Sequence, residues 1–395
     1  MPFPTRPFVG PGRVLYGVGS AESLGTELTA IGGRPAAGVV MVVADAALLA
    51  LGLVTPIVAS LEAQGFTVRV GRGVTAEPGP DTITGLVDIV GDDAVGAVVG
   101  IGGGSALDAA KLVAAATTNE LELTVGLPAT AWLDEGPLLL AIPTTAGTGA
   151  EATAVAMLWH EQRKRIFVNE RLVPRHATLD PALTRALPPS VVAASGLDAI
   201  SHAIESLLST FRTPMTVAAA ERAVARLAGA LPKAYTDPDD DARGAMLLGA
   251  HEAGLALNAS VVSGHSIAYA LSSHAGLPHG VTCAMALPYC LAFSREAAEE
   301  EIAAIGPLVG VKADASATLR WLTALTAQLN LPSSLEAVGI SSGDLPALAA
   351  EIAESYPRAN SPVPLTKESL ERLLRHFHPG DIEGAWAAAA SYATA

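Results

Sequence analysis

The chain has 395 residues and a mass of 40.0 kDa, enough for two domains with sizeable cores. Half of its residues are hydrophobic, 16% are charged and the mean hydropathy is +0.40, which excludes a disordered chain and raises the question of a membrane. A net charge of −15 excludes a general nucleic-acid binder, and the two cysteines, Cys283 and Cys290, exclude a disulfide scaffold and fit a reducing, cytoplasmic setting.

The first residues carry three prolines within seven positions and no apolar core of signal-peptide length, so export is not expected. Gly17-Val18-Gly19-Ser20 reads as a hairpin turn, and Ala21–Ala30 as a helix. The apolar stretch 36–61 divides at Asp45 into a β-branched strand, Val39–Val43, and a Leu/Ala-rich packed segment rather than one membrane span. Thr55–Gln64, Asp81–Ile89 and Ala106–Thr117 follow as helices, with Thr67–Val70, Ala97–Ile101 and Leu138–Ile142 as strands. This alternation predicts a parallel sheet with helices on both faces.

Beyond Leu187-Pro188-Pro189-Ser190 the strand signal fades, so residues 1–187 are expected to form an α/β dinucleotide-binding domain and 188–395 an all-α domain. Ser190 is expected to cap the first helix of the second domain. The expected helices are Val191–Ser209, Pro214–Leu231, Asp241–Leu257, Val262–Ser273, Glu296–Ile305, Ala315–Leu329 and Lys367–His376, with Asp237–Arg243 as a solvated acidic turn. From Ala253 to Ser294 there is no Asp, Glu, Lys or Arg, yet five serines by Ser273 and three histidines interrupt the run. Buried helices around a polar site fit that composition, and a membrane partner does not.

Two loops follow predicted strands. Gly102-Gly103-Gly104-Ser105 leads from a buried strand into a helix, where a backbone without side chains and a helix N-terminus can cradle a diphosphate. Its spacing differs from the usual dinucleotide fingerprint. Pro143-Thr144-Thr145-Ala146-Gly147-Thr148-Gly149 supplies hydroxyls and glycines after the next strand, suited to cofactor ribose and phosphate. Asp45, just past an earlier strand, could accept the adenosine ribose hydroxyls and repel a 2′-phosphate, favouring NAD over NADP. It reads equally well as a helix N-cap.

Asp198 and His202 stand four apart on one face of a predicted apolar helix, and His265 and His279 lie in the uncharged stretch. One carboxylate and three imidazoles match a divalent transition metal with open positions, although each histidine alone would read as a satisfied core residue.

The set Gly102-Gly103-Gly104-Ser105, Asp108, Lys111, Pro143-Thr144-Thr145, Gly147-Thr148-Gly149, Glu151, Asp198, His202-Ala203, Glu205, His265 and His279 resembles the iron-containing (group III) alcohol dehydrogenase family. The resemblance runs from about Gly17 to Pro288 and more weakly to the C-terminus. It implies the dehydroquinate synthase-like two-domain architecture, with Asp198, His202, His265 and His279 as ligands to Fe2+, or alternatively Zn2+. It also implies Asp45, Gly102, Gly103, Gly104, Ser105, Asp108, Thr144, Thr145 and Thr148 as the cofactor set, with Lys164 or Arg165 as a basic contact.

The implied activity is reversible hydride transfer between NAD(H) and a primary alcohol or aldehyde in a dry cleft. The alternative is a metal-independent reductase of the maleylacetate type. Many members carry a further histidine four residues after the third ligand. This chain has Tyr269 there, either a hydrogen-bond donor or a shaper of the pocket. His274 reads as loop packing or as a catalytic group. Relatives that use phosphorylated substrates need several basic residues, and the uncharged stretch supplies none. A homo-oligomer is expected from the apolar surface that this composition forces, with a dimer as the first expectation.

Overall fold

The computed structural model describes residues 3–393 except 72, 129, 132 and 162. The chain divides into two compact units. One comprises Val9–Leu187 and Asp239–His251; the other comprises the segment up to Phe8, Pro188–Pro238 and Glu252–Ala395. The short Asp239–His251 segment therefore belongs with the α/β unit, across the expected cut at 187/188.

In the α/β unit the elements run β1 (Arg13–Tyr16), α1 (Leu24–Ala30), β2 (Val39–Ala44), α2 (Ala46–Ala50), α3 (Thr55–Ala63), β3 (Val68–Val70) and α4 (Pro80–Asp88). They continue with β4 (Val95–Gly102), α5 (Gly104–Ala116), β5 (Leu138–Pro143), β6 (Val155–His160), β7 (Arg163–Val168) and β8 (His176–Leu179). Six strands pair in the order β1-β8-β5-β4-β2-β3, every pair parallel, while β6 and β7 form a separate antiparallel ribbon.

Strand β2 explains why the sheet needs helices on both faces. All six of its residues are buried, and the period of two sends Val39, Met41 and Val43 into one core and Val40, Val42 and Ala44 into the other. The first core is closed by Ile83 and Leu86 of α4 and Leu112 and Val113 of α5; the second by Leu24 and Leu28 of α1 and Ile57 and Leu61 of α3. Each fully buried aliphatic side chain contributes roughly 1.5–3 kcal/mol of transfer free energy.

Two expectations are corrected here. Gly17–Ser20 is not a hairpin turn. It links β1 to a 3-10 turn at Ser20–Ser23, and Asp180 holds it by accepting the N–H groups of Gly19 (2.9 Å) and Ala21 (3.0 Å). Ser190 does not cap, because the next helix begins at Pro189 with Pro188 as its N-cap residue and without a side-chain cap. Strand β8 carries no continuous apolar signal because His176 and Thr178 break its run; buried on the same face, they meet through a 2.8 Å Nε2–Oγ1 contact.

The second unit is helical. It contains α6 (Pro189–Leu208), α7 (Pro214–Thr236), the end of α8 (Asp240–Ala256), α9 (Ser263–Ala275) and α10 (His279–Leu308), which breaks its helical geometry at Ala298. After these come α11 (Ala315–Gln328), α12 (Leu345–Ser355), α13 (Lys367–Phe377), α14 (Ile382–Ala387) and α15 (Ala390–Ala393). Among the described residues α6 is long and apolar enough to cross a membrane, but most of it is buried in the protein; α8 with α9 passes the same test only as a bent pair.

Candidate metal and cofactor sites

Parallel strands place their C-terminal ends along one edge of the sheet, and three of those ends carry the loops singled out above. Asp45 follows β2, with its N–H bonded to the Ile101 carbonyl (3.0 Å). Gly102 ends β4 and accepts the Thr144 N–H beyond β5 (3.0 Å). Gly102 has a φ of +151°, which strongly favours glycine, and a Cβ there would lie 2.7 Å from Ala106 Cβ and 3.0 Å from Asp45 Cβ. A Cβ on Gly104 would meet Thr148 Cγ2 at 2.7 Å, and one on Gly103 would meet Thr145 Oγ1 at 3.3 Å. The glycine and threonine loops therefore form one cradle at the start of α5, where Gly103, Gly104 and Ser105 stay partly exposed. Asp45 also caps α2, its Oδ1 accepting the Ala47 N–H at 2.8 Å.

Asp108, expected to contact the cofactor, also makes a contact within its own unit. Its Oδ2 accepts the Met157 N–H of β6 at 3.1 Å. One turn on, Lys111 Nζ donates to the Thr153 carbonyl (2.9 Å), Thr153 Oγ1 (3.0 Å) and the Val155 carbonyl (2.6 Å). Burial pushes the Asp108 carboxyl up to about 6 against the pull of Lys111 and Lys164, and burial pushes Lys111 down to about 8. The pair clamps α5 to the β6–β7 ribbon. Adjacent strand residues face opposite ways, and Lys164 is the one whose charge reaches Asp108, whereas Arg165 lies 3.5 Å from Glu161.

In the helical unit, α6 carries Asp198, His202 and Glu205 on one buried face at i, i+4 and i+7. His265 lies in the first turn of α9, and His279 opens α10 behind Pro278. The Nε2 atoms of His265, His202 and His279 stand 3.5, 3.8 and 3.8 Å from Asp198 Oδ1. That oxygen is buried and accepts no hydrogen bond. A buried orphan oxygen ringed by three imidazole nitrogens, each beyond good hydrogen-bond length, fits donors arranged around a shared cation. Burial disfavours the ionised Asp198 carboxyl, yet the His202, His265 and His279 imidazoles hold it well below the usual carboxylate range. The residues present fit a divalent transition metal.

Glu205 supports this cluster from behind. Its Oε1 lies 2.6 Å from His265 Nδ1, and its Oε2 accepts the N–H groups of Val262 (2.8 Å) and His265 (3.2 Å). The approach is possible because residue 264 is glycine: a Cβ there would sit 2.6 Å from Glu205 Oε1. Burial works against the Glu205 charge, but His265 and the two backbone donors hold its carboxyl below its ordinary range.

Tyr269 is buried beside the cluster, its ring stacked on His279 (centroids 5.1 Å) and edge-on to His265 (5.9 Å). The Arg358 guanidinium lies 5.6 Å from the Tyr269 centroid, and its Nε donates to Ser266 Oγ at 3.1 Å. A cation thus reaches this wall from outside the uncharged stretch, which itself supplies none. His274 is 40% exposed, and its Nε2, 2.7 Å from Glu351 Oε2, ties α9 to α12.

Three neighbours of the cluster, Glu205, Cys283 and Arg358, were not named as site residues from sequence. Glu205 was detectable, since it continues the Asp198 face by one further turn. Cys283 follows His279 by four residues, the same spacing that pairs Asp198 with His202. Arg358 carried no local signal, because only the chain's return beside α9 brings it there.

Residues 11–181 match the iron-containing alcohol dehydrogenase family, and residues 192–378 match the C-terminal region of the Fe-containing alcohol dehydrogenase family. The chain is 31% identical to long-chain-alcohol dehydrogenase 1 of Geobacillus thermodenitrificans (strain NG80-2), covering 93% of this chain and 95% of that protein. It is 30% identical to the NAD-dependent methanol dehydrogenase of Bacillus methanolicus, covering 94% and 99%. The solved alcohol dehydrogenase from Oenococcus oeni superposes with a TM-score of 0.87 at 26% identity, covering 95% and 100%.

Proposed function

The chain belongs to the iron-containing alcohol dehydrogenase family, and from that membership we propose that it transfers hydride reversibly between NAD(H) and a primary alcohol or aldehyde. The observation that carries the proposal is the convergence of three imidazole nitrogens on the orphaned Asp198 Oδ1. Asp198, His265 and His279, with His202 as a fourth donor, would hold a divalent ion, Fe2+ or Zn2+.

When bound, such an ion supplies Lewis acidity toward an alcohol oxygen, and nicotinamide supplies the redox chemistry. Glu205 keeps the His265 Nδ1 proton on its own side, leaving Nε2 as a donor toward the ion. Asp198 contributes the negative charge that keeps the site attractive to a cation. Tyr269, stacked on His279, is the proposed hydrogen-bond donor to substrate. Gly102–Ser105 bind the cofactor diphosphate through backbone N–H groups at the start of α5, Thr144, Thr145 and Thr148 contact its ribose and nicotinamide side, and Asp45 takes the adenosine ribose. Lys164 is the basic contact to the cofactor. The protein is proposed to work in the cytoplasm as a homo-oligomer.

A second reading has its own observation. Arg358 beside Tyr269 suits a carboxylate-bearing carbonyl substrate, as a metal-independent reductase of the maleylacetate type would need. One experiment separates the two. The purified protein is stripped with a chelator and assayed for NADH oxidation across aldehydes and keto acids, then assayed again after Fe2+ or Zn2+ is restored. Aldehyde activity lost and regained with metal supports the first reading; activity that survives stripping, and persists in Asp198→Asn, overturns it.

A further inference from the structure

Cys283 is a buried thiol at the cluster for which the proposed reaction has no use. It lies one helical turn after His279, so both side chains leave the same face at the start of α10. Its Sγ is 3.6 Å from His265 Nε2 and 3.5 Å from His279 Nε2. In each ring the sulfur is near the nitrogen that points toward Asp198, and it also lies 3.8 Å from His279 Nδ1. The donor atoms of Asp198, His265, His279 and Cys283 all lie within 4.8 Å of one another; His202 stands outside that set. A thiolate sulfur at ~2.3 Å and an imidazole nitrogen at ~2.0–2.1 Å from one tetrahedral zinc would be about 3.5 Å apart. Both observed sulfur–nitrogen distances match that spacing. The other cysteine, Cys290, provides the contrast: it is equally buried but its Sγ receives the Ser263 hydroxyl at 3.2 Å.

We propose that Cys283 is a ligand to the divalent ion, completing an Asp198–His265–His279–Cys283 set that turns this site toward Zn2+ and away from Fe2+. The inference rests on the reading of the cluster as a metal site given above. Binding replaces the S–H bond by a sulfur–metal bond and releases the proton to solvent, with no change in oxidation state. A soft thiolate among the donors favours zinc over ferrous iron more than a third nitrogen would. His202 then serves as the alternative fourth donor, stacked on His265 at a centroid distance of 4.6 Å.

The test uses the full chain loaded anaerobically with Co2+ and read by optical absorption, with metal content measured on the same sample. The expected result is a sulfur-to-cobalt charge-transfer band in the near ultraviolet for the native chain and for Cys290→Ala. The band should be lost in Cys283→Ser and Cys283→Ala, with cobalt still bound. In competition, Cys283→Ser should lose at least about tenfold of the native preference for Zn2+ over Fe2+. Stoichiometric cobalt without the band in the native chain, or a band that survives in Cys283→Ser, overturns the proposal and leaves the metal reading intact. A native chain that takes up no cobalt overturns the metal reading and the Cys283 assignment with it. If both Cys283 variants fail to fold, sulfur scattering at the zinc edge of the native zinc-loaded chain decides.

Discussion

Glu205 lies 2.6 Å from His265 Nδ1 and spends its second oxygen on two backbone N–H groups at the start of α9. The contact fixes which imidazole nitrogen carries the proton, and it locks the ring that faces Asp198. Outer carboxylates of this kind change metal affinity by about 10–100-fold when removed. Glu205→Gln keeps the size of the side chain but removes the charge and can turn a donor toward Nδ1. Its metal dissociation constant, from chelator competition, should rise by at least about tenfold, while its circular dichroism stays native. Unchanged metal affinity would reduce Glu205 to a packing residue.

Asp45 both caps α2 and stands in the place proposed for the ribose carboxylate, and one substitution separates the two tasks. Serine caps a helix about as well as aspartate, but it carries no charge to repel a 2′-phosphate. Asp45→Ser should keep its melting temperature and shift the NAD-to-NADP ratio of kcat/KM toward NADP by about tenfold or more, equivalent to ~1.4 kcal/mol. A lower melting temperature with an unchanged ratio would leave Asp45 as a cap alone.

The contact between Gly104 and Thr148 tests whether the two loops form one cradle. Gly104→Ala places a methyl 2.7 Å from Thr148 Cγ2, an overpacking expected to cost ~1–3 kcal/mol and to raise KM for NAD. Adding Thr148→Ser removes that methyl and should restore part of both losses, as measured by thermal melts and cofactor titration. An effect of the double variant equal to the sum of the single ones would separate the loops energetically.

The Asp108 carboxyl, pushed up to about 6 by burial, makes a pH-dependent contribution to stability. An acid whose folded value lies above its unfolded one is favoured folded when protonated. Its contribution is complete below the ordinary carboxylate value near 3.8 and is lost as pH rises through 6. The melting temperature of the native chain should therefore carry a downward component between about pH 4 and 6, and Asp108→Asn should flatten that part of the profile. Lys111, lowered to about 8, works in the opposite sense, its burial penalty relieved as pH rises from 8 toward 10.5. Identical slopes for native chain and variant over pH 4–6 would show that Asp108 contributes nothing there.

Much of the fold could be read from the chain alone. Val39–Val43 announces a strand buried on both faces, Gly102–Gly104 announces a strand-to-helix turn without side chains, and Asp198 with His202 announces a polar stripe on an apolar helix. These are local signals, because a period of 2 or 3.6 and a required backbone conformation are written in neighbouring residues. The same locality explains the misses. His176 and Thr178 hide β8 because a polar pair looks like a loop until its partners are known. His274 lies only five residues from His279, yet Glu351, from a distant helix, engages it away from the imidazoles.

What the sequence determined by itself is the layered α/β unit, the helical unit, and the presence of a carboxylate and several histidines in an apolar setting. The +0.40 hydropathy belongs to strands and helices buried within the protein rather than to a bilayer-facing surface. Tertiary structure alone decided which of those groups meet. It set Glu205 behind His265, brought the Cys283 sulfur among the imidazole nitrogens, carried Arg358 beside Tyr269 and gave Asp108 to a clamp. Most of these pairings join residues tens of positions apart, and only the packing of whole elements brings them within a few ångströms of one another.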